Sequence, residues 1–202
     1  MTALREAPVH QARPIEELRS PDRIPGEVGL WVLILSDMLV FAVLFVLVVV
    51  VRAQQPTMFA RSTQTVHQGL GVLDTALLLT GSAAVALAVR ATRAGIRRLA
   101  TRLLGIAAAC ALGFLGVKAF EWGALLHQGH VPSSNEYYQL YFMLTGMHLV
   151  HVLIGTCVLL AVRKKVSVGT DTPRLLEGSA SYWHMVDALW LGLFPLLYLI
   201  GR

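Results

Sequence analysis

The sequence predicts an all-α fold, a bundle of five membrane-spanning helices that occupies residues 28–201. Hydrophobic residues make up 55% of the 202-residue chain, and charged residues make up only 14%. The apolar residues are grouped in blocks of roughly 20 residues, the length that a helix needs to cross a bilayer. A chain of this length with so much apolar sequence has no room for a second domain.

The first 27 residues are predicted to be a polar tail. They combine four arginines and five acidic residues with four prolines, a composition typical of poorly ordered segments. The apolar block that follows is too long for the core of a signal peptide, and no small-residue cleavage site comes after it. We therefore expect this block to remain in the mature protein.

The first predicted helix covers residues 28–51 and contains a single ionisable side chain, Asp37. At about 1.5 Å per residue this block is long enough for a hydrocarbon core of roughly 30 Å, and Asp37 lies well inside it. A carboxylate at such a depth costs about 2.5–3.5 kcal/mol on insertion scales. Asp37 is therefore expected to face protein or water, with shelter from other helices.

Four further helices follow, separated by turns that contain proline, glycine or clusters of basic residues. They are predicted over residues 70–89, 103–126, 138–162 and 180–200. Pro195 lies inside the last of them and predicts a kink.

Lysine and arginine residues predict the orientation. The tail and the loops at residues 90–102 and 163–174 carry 13 of them, whereas the opposite side carries 3. The positive-inside rule then places the N-terminus in the cytoplasm and the C-terminus outside. Because these charges would face anionic lipid headgroups, the net charge of +5 does not indicate a nucleic-acid partner.

The third predicted helix contains Lys118 and Glu121, three residues apart and so on one face. The simpler interpretation is a self-neutralising pair near the outer surface. The alternative is that Glu121 is directed at a buried partner such as Asp37 or a histidine.

The fourth predicted helix contains His148 and His151, also three residues apart. Two imidazoles on one face could bind haem or a metal, but the sequence does not clearly supply further ligands. We interpret them as hydrogen-bonded structural histidines. Gly146 and Gly155 on this helix favour close approach of a neighbouring helix.

In the fifth predicted helix His184 and Asp187 are three apart, so Asp187 could orient the imidazole or share a proton with it. Tyr182 and Trp183 fit an aromatic belt at the membrane interface. Glu177 and Asp74 are each predicted near a helix N-terminus, where an acid is favourable. The candidates therefore form a buried acid–histidine network (Asp37, Glu121, His148, His151, His184 and Asp187) and four lipid or interface residues (Tyr182, Trp183, Glu177 and Asp74).

No phosphate-binding loop, metalloprotease motif or serine-nucleophile motif is present in the sequence. From the residues alone, a proton-handling subunit and a small transporter both remain open.

From residue 26 to residue 201 the chain resembles the subunit III family of the haem-copper oxidases. The matching segments are LWVLILSDMLVF, LDTALLLTGS, the Lys118–Glu121 region, YFMLTGMHLVHVLIG and YWHMVDALWLGLFPLLYL, in this order. The family includes seven-helix proteins and shorter bacterial forms without the first two helices. Because two is an even number, loss of two helices leaves both termini on the same sides of the membrane, which agrees with the orientation predicted above.

This resemblance implies a subunit of the bacterial inner membrane with no activity alone and no redox cofactor or metal of its own. Its partner would be the catalytic subunit, which holds haem with copper or non-haem iron. Members are thought to hold phospholipid in a cleft and to support proton uptake and durability of the catalytic subunit.

One departure concerns Asp37, because respiratory members usually carry Glu in this segment. The shorter side chain, together with WVLILSDMLVF and YWHMVD, looks closer to the NorE-type branch associated with nitric oxide reductase, which we slightly favour. Two other classes stay open: an independent transporter or proton channel, and a b-type haem protein using His148, His151 and His184.

Overall fold

A computed structural model describes residues 28–169 and 173–200. All regular structure within these ranges is helical, in the order α1 (Val28–Gln54), α2 (Pro56–Thr63), α3 (Gln68–Arg93), α4 (Arg97–His127), α5 (Glu136–Val168), α6 (Pro173–Phe194) and a π turn (Pro195–Leu199). The predicted polar tail, residues 1–27, lies outside the described part of the chain. The all-α prediction is confirmed for the residues that are described.

Four helices within the described ranges, α1, α3, α4 and α5, are long and apolar enough to cross a membrane. The chain is therefore a multi-pass membrane protein. The fifth predicted span corresponds to α6 and the π turn. Its role as a membrane span, and with it the orientation of the two termini, stays a prediction.

The long helices extend beyond the predicted boundaries. α4 begins at Arg97 and α5 continues to Val168, both well into the basic segments between the apolar blocks. The apolar block marks only the part of a helix that lies in hydrocarbon, whereas the backbone hydrogen bonds continue into water. α5 ends at Gly169, whose φ of +84° is a left-handed conformation that suits glycine.

The short helix α2 was not predicted, because the segment around Pro56 was expected to be a loop. Pro56 occupies the first helical position, where the missing N–H costs no hydrogen bond and the fixed φ suits a helix. Phe59 on this helix is completely buried against Tyr137 of α5, with ring centroids 4.9 Å apart. α2 therefore covers one end of the bundle.

The bundle has a tightly packed group and one outer helix. α3 packs along α4, α4 contacts α5, α3 contacts α6, and α5 contacts α6, so these four helices enclose the polar side chains described below. α1 packs on the outside, against α5 and α6. Much of its surface therefore stays uncovered, including Val32, Leu35 and Leu39, each more than half exposed.

The change at Pro195 is a transition from α to π geometry. Proline cannot supply an N–H to the preceding turn, so the helix continues with a wider hydrogen-bonding pattern over Pro195–Leu199. Two buried side chains, Leu197 and Tyr198, lie in this turn. The turn places the Tyr198 hydroxyl against α4 and α5, where it takes part in a cluster of charged groups.

Candidate functional site

Asp37 of α1 contacts His151 of α5. Its Oδ2 atom lies 3.1 Å from the Nε2 atom of His151, and the two side chains are 28% and 16% exposed. The other imidazole nitrogen, Nδ1, lies 2.7 Å from the backbone oxygen of Met147, and the ring of Phe41 packs edge-on at 5.7 Å. Asp37 is thus sheltered, as expected, by another helix, and the residue that it contacts there is His151 of α5.

The hydrogen bonds fix where the protons of this pair can be. Since a carbonyl oxygen only accepts, Nδ1 of His151 must carry a proton that it donates to Met147. The contact between Nε2 and Asp37 then needs one more proton, held by either the imidazole or the carboxyl group. Asp37 and His151 therefore form a hydrogen-bonded pair at the partly exposed junction of α1 and α5.

We expect Asp37→Asn to be mild and Asp37→Leu to be damaging. An Asn amide can donate to Nε2 of a neutral His151, whereas Leu leaves this nitrogen without a partner at a cost of about 1–3 kcal/mol. The measurement is the yield and thermal unfolding of the protein in mild detergent, with His151→Leu and the double variant completing a mutant cycle. Unfolding of the Leu variant at the wild-type temperature would contradict the assignment.

Glu121 does not face Asp37 or a histidine. It forms an ion pair with Lys118, whose Nζ atom lies 2.5 Å from the Glu121 Oε2 atom. The predicted pair is present, and both side chains are only 1% exposed, so protein surrounds the pair. Its predicted location near the outer membrane surface stays a prediction. A second carboxylate, Asp74 of α3, lies 3.0 Å from the same ammonium group and is completely buried.

The predicted helix-terminal roles of Asp74 and Glu177 are wrong. α3 begins at Gln68 and α6 begins at Pro173, so neither acid lies in a first turn. Both helices start earlier than their apolar blocks do. Asp74 instead faces Lys118, and Glu177 binds Arg93 of α3 through Nη2 and Nε at 2.8 and 3.1 Å.

His148 and His151 have separate surroundings despite their spacing. His148 is completely buried between Phe114 and Trp190, with ring centroids 5.6 and 5.2 Å away. Neither of its nitrogens has a hydrogen-bond partner among the described residues, so the interpretation as a hydrogen-bonded histidine holds for His151 but not for His148. Trp190 in turn donates to the Thr75 hydroxyl at 3.0 Å.

His184 and Asp187 do not bond to each other in the described structure. The Nδ1 atom of His184 lies 2.7 Å from the Ser82 hydroxyl of α3. Asp187 is buried, and neither of its oxygens has hydrogen-bond geometry to a described partner, although Ser82 is close enough to interact with it. The predicted Asp187–His184 interaction is therefore wrong for the described structure, because His184 is exposed and its partner is on another helix.

We therefore expect Ser82→Ala and His184→Ala to give non-additive losses of stability, each about 0.5–1.5 kcal/mol, because each removes the same hydrogen bond. Asp187→Ala should add independently to the His184 variant. The measurement is chemical unfolding of the single and double variants in detergent. Non-additivity between His184 and Asp187, with additivity between His184 and Ser82, would instead identify the acid as the partner.

Tyr182 and Trp183 are not exposed at an interface. Trp183 is 1% exposed and Tyr182 is 7% exposed, and both pack on Gly155 of α5. A Cβ atom at Gly155 would lie 3.0 Å from the Trp183 ring, so this glycine permits the close approach that the sequence predicted. Similarly, a Cβ atom at Gly146 would lie 3.4 Å from the Trp122 ring of α4.

The six residues predicted as one acid–histidine network thus occupy different places. Asp37 pairs with His151, Glu121 joins Lys118 and Asp74, His184 bonds to Ser82, and His148 and Asp187 are buried without a hydrogen bond in the described structure. Within residues 28–169 and 173–200, no three His, Cys, Asp or Glu residues come together as a metal site would require. Two contact residues were not predicted from the sequence: Ser82, which contacts His184, and Tyr198, which contacts Glu121 and Tyr141. The position of a hydroxyl residue in a helical sequence does not reveal which side chain on another helix it will contact.

Comparison with known proteins identifies the family. Residues 25–202 match the family described as cytochrome c oxidase subunit III. The chain belongs to this family. It is 30% identical over 195 residues to a probable cytochrome c oxidase subunit 3 of Nocardia farcinica, covering 92% of each chain. It is also 25% identical to a probable quinol oxidase subunit 3 of Staphylococcus saprophyticus, over 95% of this chain and 96% of that protein.

A third relative is the cytochrome bo(3) ubiquinol oxidase subunit 3 of Buchnera aphidicola, 26% identical over 86% of this chain and 85% of that protein. The recognition of the haem-copper oxidase subunit III family from the sequence is confirmed. The relatives are named as subunits of cytochrome c oxidases and of quinol oxidases. Family membership therefore indicates an oxidase subunit but does not identify the electron donor of the complex.

Proposed function

We propose that the chain is a non-catalytic integral membrane subunit of a haem-copper superfamily respiratory complex, without activity of its own. The family match over residues 25–202 carries this proposal. The catalytic partner would hold haem with copper or non-haem iron, and this chain would hold no redox cofactor. Its role would be to support assembly, lipid binding and proton uptake of that partner in electron transport.

The uncovered surface of α1 supports an interface in the membrane. Large apolar residues are exposed along its whole length, from Val32 at 59% to Val46 at 63%. Such a surface requires either lipid or the apolar surface of another membrane protein. We propose that the catalytic subunit and bound phospholipid cover it together.

The Asp37–His151 pair supports a role in proton uptake. It holds a proton that two groups can share, it lies at the junction of α1 with α5, and it is partly exposed. An ionisable pair at membrane depth is costly and indicates a functional role. In this proposal the pair delivers or buffers protons for the catalytic subunit.

The partner enzyme is a terminal oxidase or a nitric oxide reductase. The named relatives, which are cytochrome c and quinol oxidase subunits, favour a terminal oxidase. The Asp37 departure favours the NorE-type branch. An independent transporter or proton channel is the alternative outside this class.

The experiment is purification of the tagged chain from its native membrane in mild detergent, followed by a haem spectrum and identification of the partners. A catalytic subunit with copper and two haems would assign a terminal oxidase. Haem b with non-haem iron and nitric oxide reduction would assign the denitrification branch. A colourless, partner-free protein would contradict the proposal and favour the transporter.

We further propose that the protein lies in the bacterial inner membrane as a tail of residues 1–27 and a five-span domain, with the N-terminus inside and the C-terminus outside. Neutral replacement of Arg93, Arg97 and Arg98 should then weaken the orientation, because these charges oppose translocation. The orientation can be measured by introducing a cysteine at each terminus and testing from which side of the membrane a thiol reagent labels it. Unchanged orientation with lost turnover of the complex would contradict it.

A further inference from the structure

A buried cluster of three ionisable groups lies where α3, α4 and the π turn meet. Asp74, Lys118 and Glu121 are each at most 1% exposed, and both acids lie within 3.0 Å of the single ammonium group. If all three were ionised, the cluster would carry one uncompensated negative charge. An unpaired charge in so dry a place is very costly, so a buried group of this kind is neutralised instead.

The two acids differ in their hydrogen bonds. The Oε2 atom of Glu121 accepts from Lys118 at 2.5 Å and from the Tyr198 hydroxyl at 2.8 Å, as an ionised carboxylate does. Tyr141 lies 3.2 Å from the Tyr198 oxygen and can donate to it. Asp74 has a single polar contact in the described structure, between its Oδ2 atom and the Lys118 ammonium group at 3.0 Å, and this contact is less well directed than those of Glu121.

We propose that Asp74 carries a proton and that Asp74, Lys118 and Glu121 form a buried binding site for one proton. This site is separate from the Asp37–His151 pair. In the protonated state Lys118 and Glu121 neutralise each other, and the Asp74 carboxyl group is uncharged. Release of the proton would leave a net negative charge between α3 and α4.

The other titratable groups around the cluster do not account for the missing charge. Tyr198 of the π turn is neutral and donates to Glu121, and Tyr141 of α5 is neutral and donates to the Tyr198 oxygen. His148 of α5 would be a cation if protonated, but neither nitrogen has an acceptor among the described residues. An imidazolium with two unsatisfied N–H groups costs more than a neutral carboxyl group, so the proton belongs on Asp74.

Infrared spectroscopy of the full-length protein in its native membrane extract tests the site directly. A protonated carboxyl group gives a C=O band separate from that of a carboxylate, and labelling aspartate with carbon-13 shifts only aspartate bands. We expect an aspartic acid band in the wild type that is absent in Asp74→Asn. The matched control is Asp187→Asn, a second buried aspartate on α6, which must leave this band in place.

A second variant keeps Asp74 and changes its neighbour. Glu121→Gln leaves one acid beside Lys118, so Asp74 should ionise and the same band should disappear although the residue is unchanged. Loss of the band in both variants, with its retention in Asp187→Asn, supports the proton site. An unchanged spectrum in Asp74→Asn, or a band that persists in Glu121→Gln, would overturn it.

Discussion

Replacement of Lys118 by methionine is expected to destabilise the protein by about 3–5 kcal/mol, since removing one partner of a buried ion pair leaves its counter-charge uncompensated. Lys118 is the single cation beside Asp74 and Glu121 in the described structure, and all three side chains are buried. It also donates to the Tyr198 hydroxyl at 2.5 Å, so the variant loosens the contact between α4 and the π turn.

Denaturation of the purified protein in mixed detergent micelles measures this loss. Lys164→Met is the matched control, because Lys164 is exposed near the end of α5 and should change stability by at most about 0.5 kcal/mol. Adding Asp74→Asn and Glu121→Gln to Lys118→Met makes the whole cluster neutral and should recover most of the loss. A Lys118→Met variant that unfolds like the wild type would show that the ammonium group is not needed to balance the acids.

The helices could be predicted from the sequence because each apolar block is long enough to require one. Their ends could not, since α4 and α5 continue into basic segments that resemble loops in composition. α2 was missed for a related reason. It has eight residues and a mixed composition, so its burial at Phe59 depends on α5 and not on its own pattern.

The candidate site could be predicted only as far as local spacing reaches. Residues three apart share a helix face, and this identified the Lys118–Glu121 pair correctly. The partner of Asp37 is 114 residues away in the sequence, and spacing within one helix carries no information about it. The same limit explains why His184 was assigned to Asp187, whereas the structure bonds it to Ser82.

The environment of Asp74 could not be predicted from the local sequence either. A single acid near the start of an apolar block has the same sequence pattern whether it caps a helix or faces a buried lysine. Only the packing of α3 along α4 places it 3.0 Å from Lys118. The π turn has a similar effect on Tyr198, since proline predicts an irregularity but not the direction in which the next buried side chain points.

Trp183→Ala is expected to destabilise the protein by about 3–5 kcal/mol, the typical cost of removing a large buried aromatic side chain. Trp183 fills the space between α6, Gly155 of α5 and Gly81 of α3. Its indole N–H has no acceptor among the described residues, so the effect comes from packing rather than from a hydrogen bond. Trp183→Phe should therefore retain part of the stability.

The matched control is Phe120→Ala on α4, because Phe120 is 67% exposed and should change stability by at most about 0.5 kcal/mol. A size exchange then tests the contact itself. Gly155→Leu alone should cost about 1–3 kcal/mol by overpacking against Trp183, but combined with Trp183→Ala it fills the cavity and should cost less than the two single losses together. Equal effects of Trp183→Ala and Phe120→Ala would place Trp183 at the lipid interface and not in the packed interior.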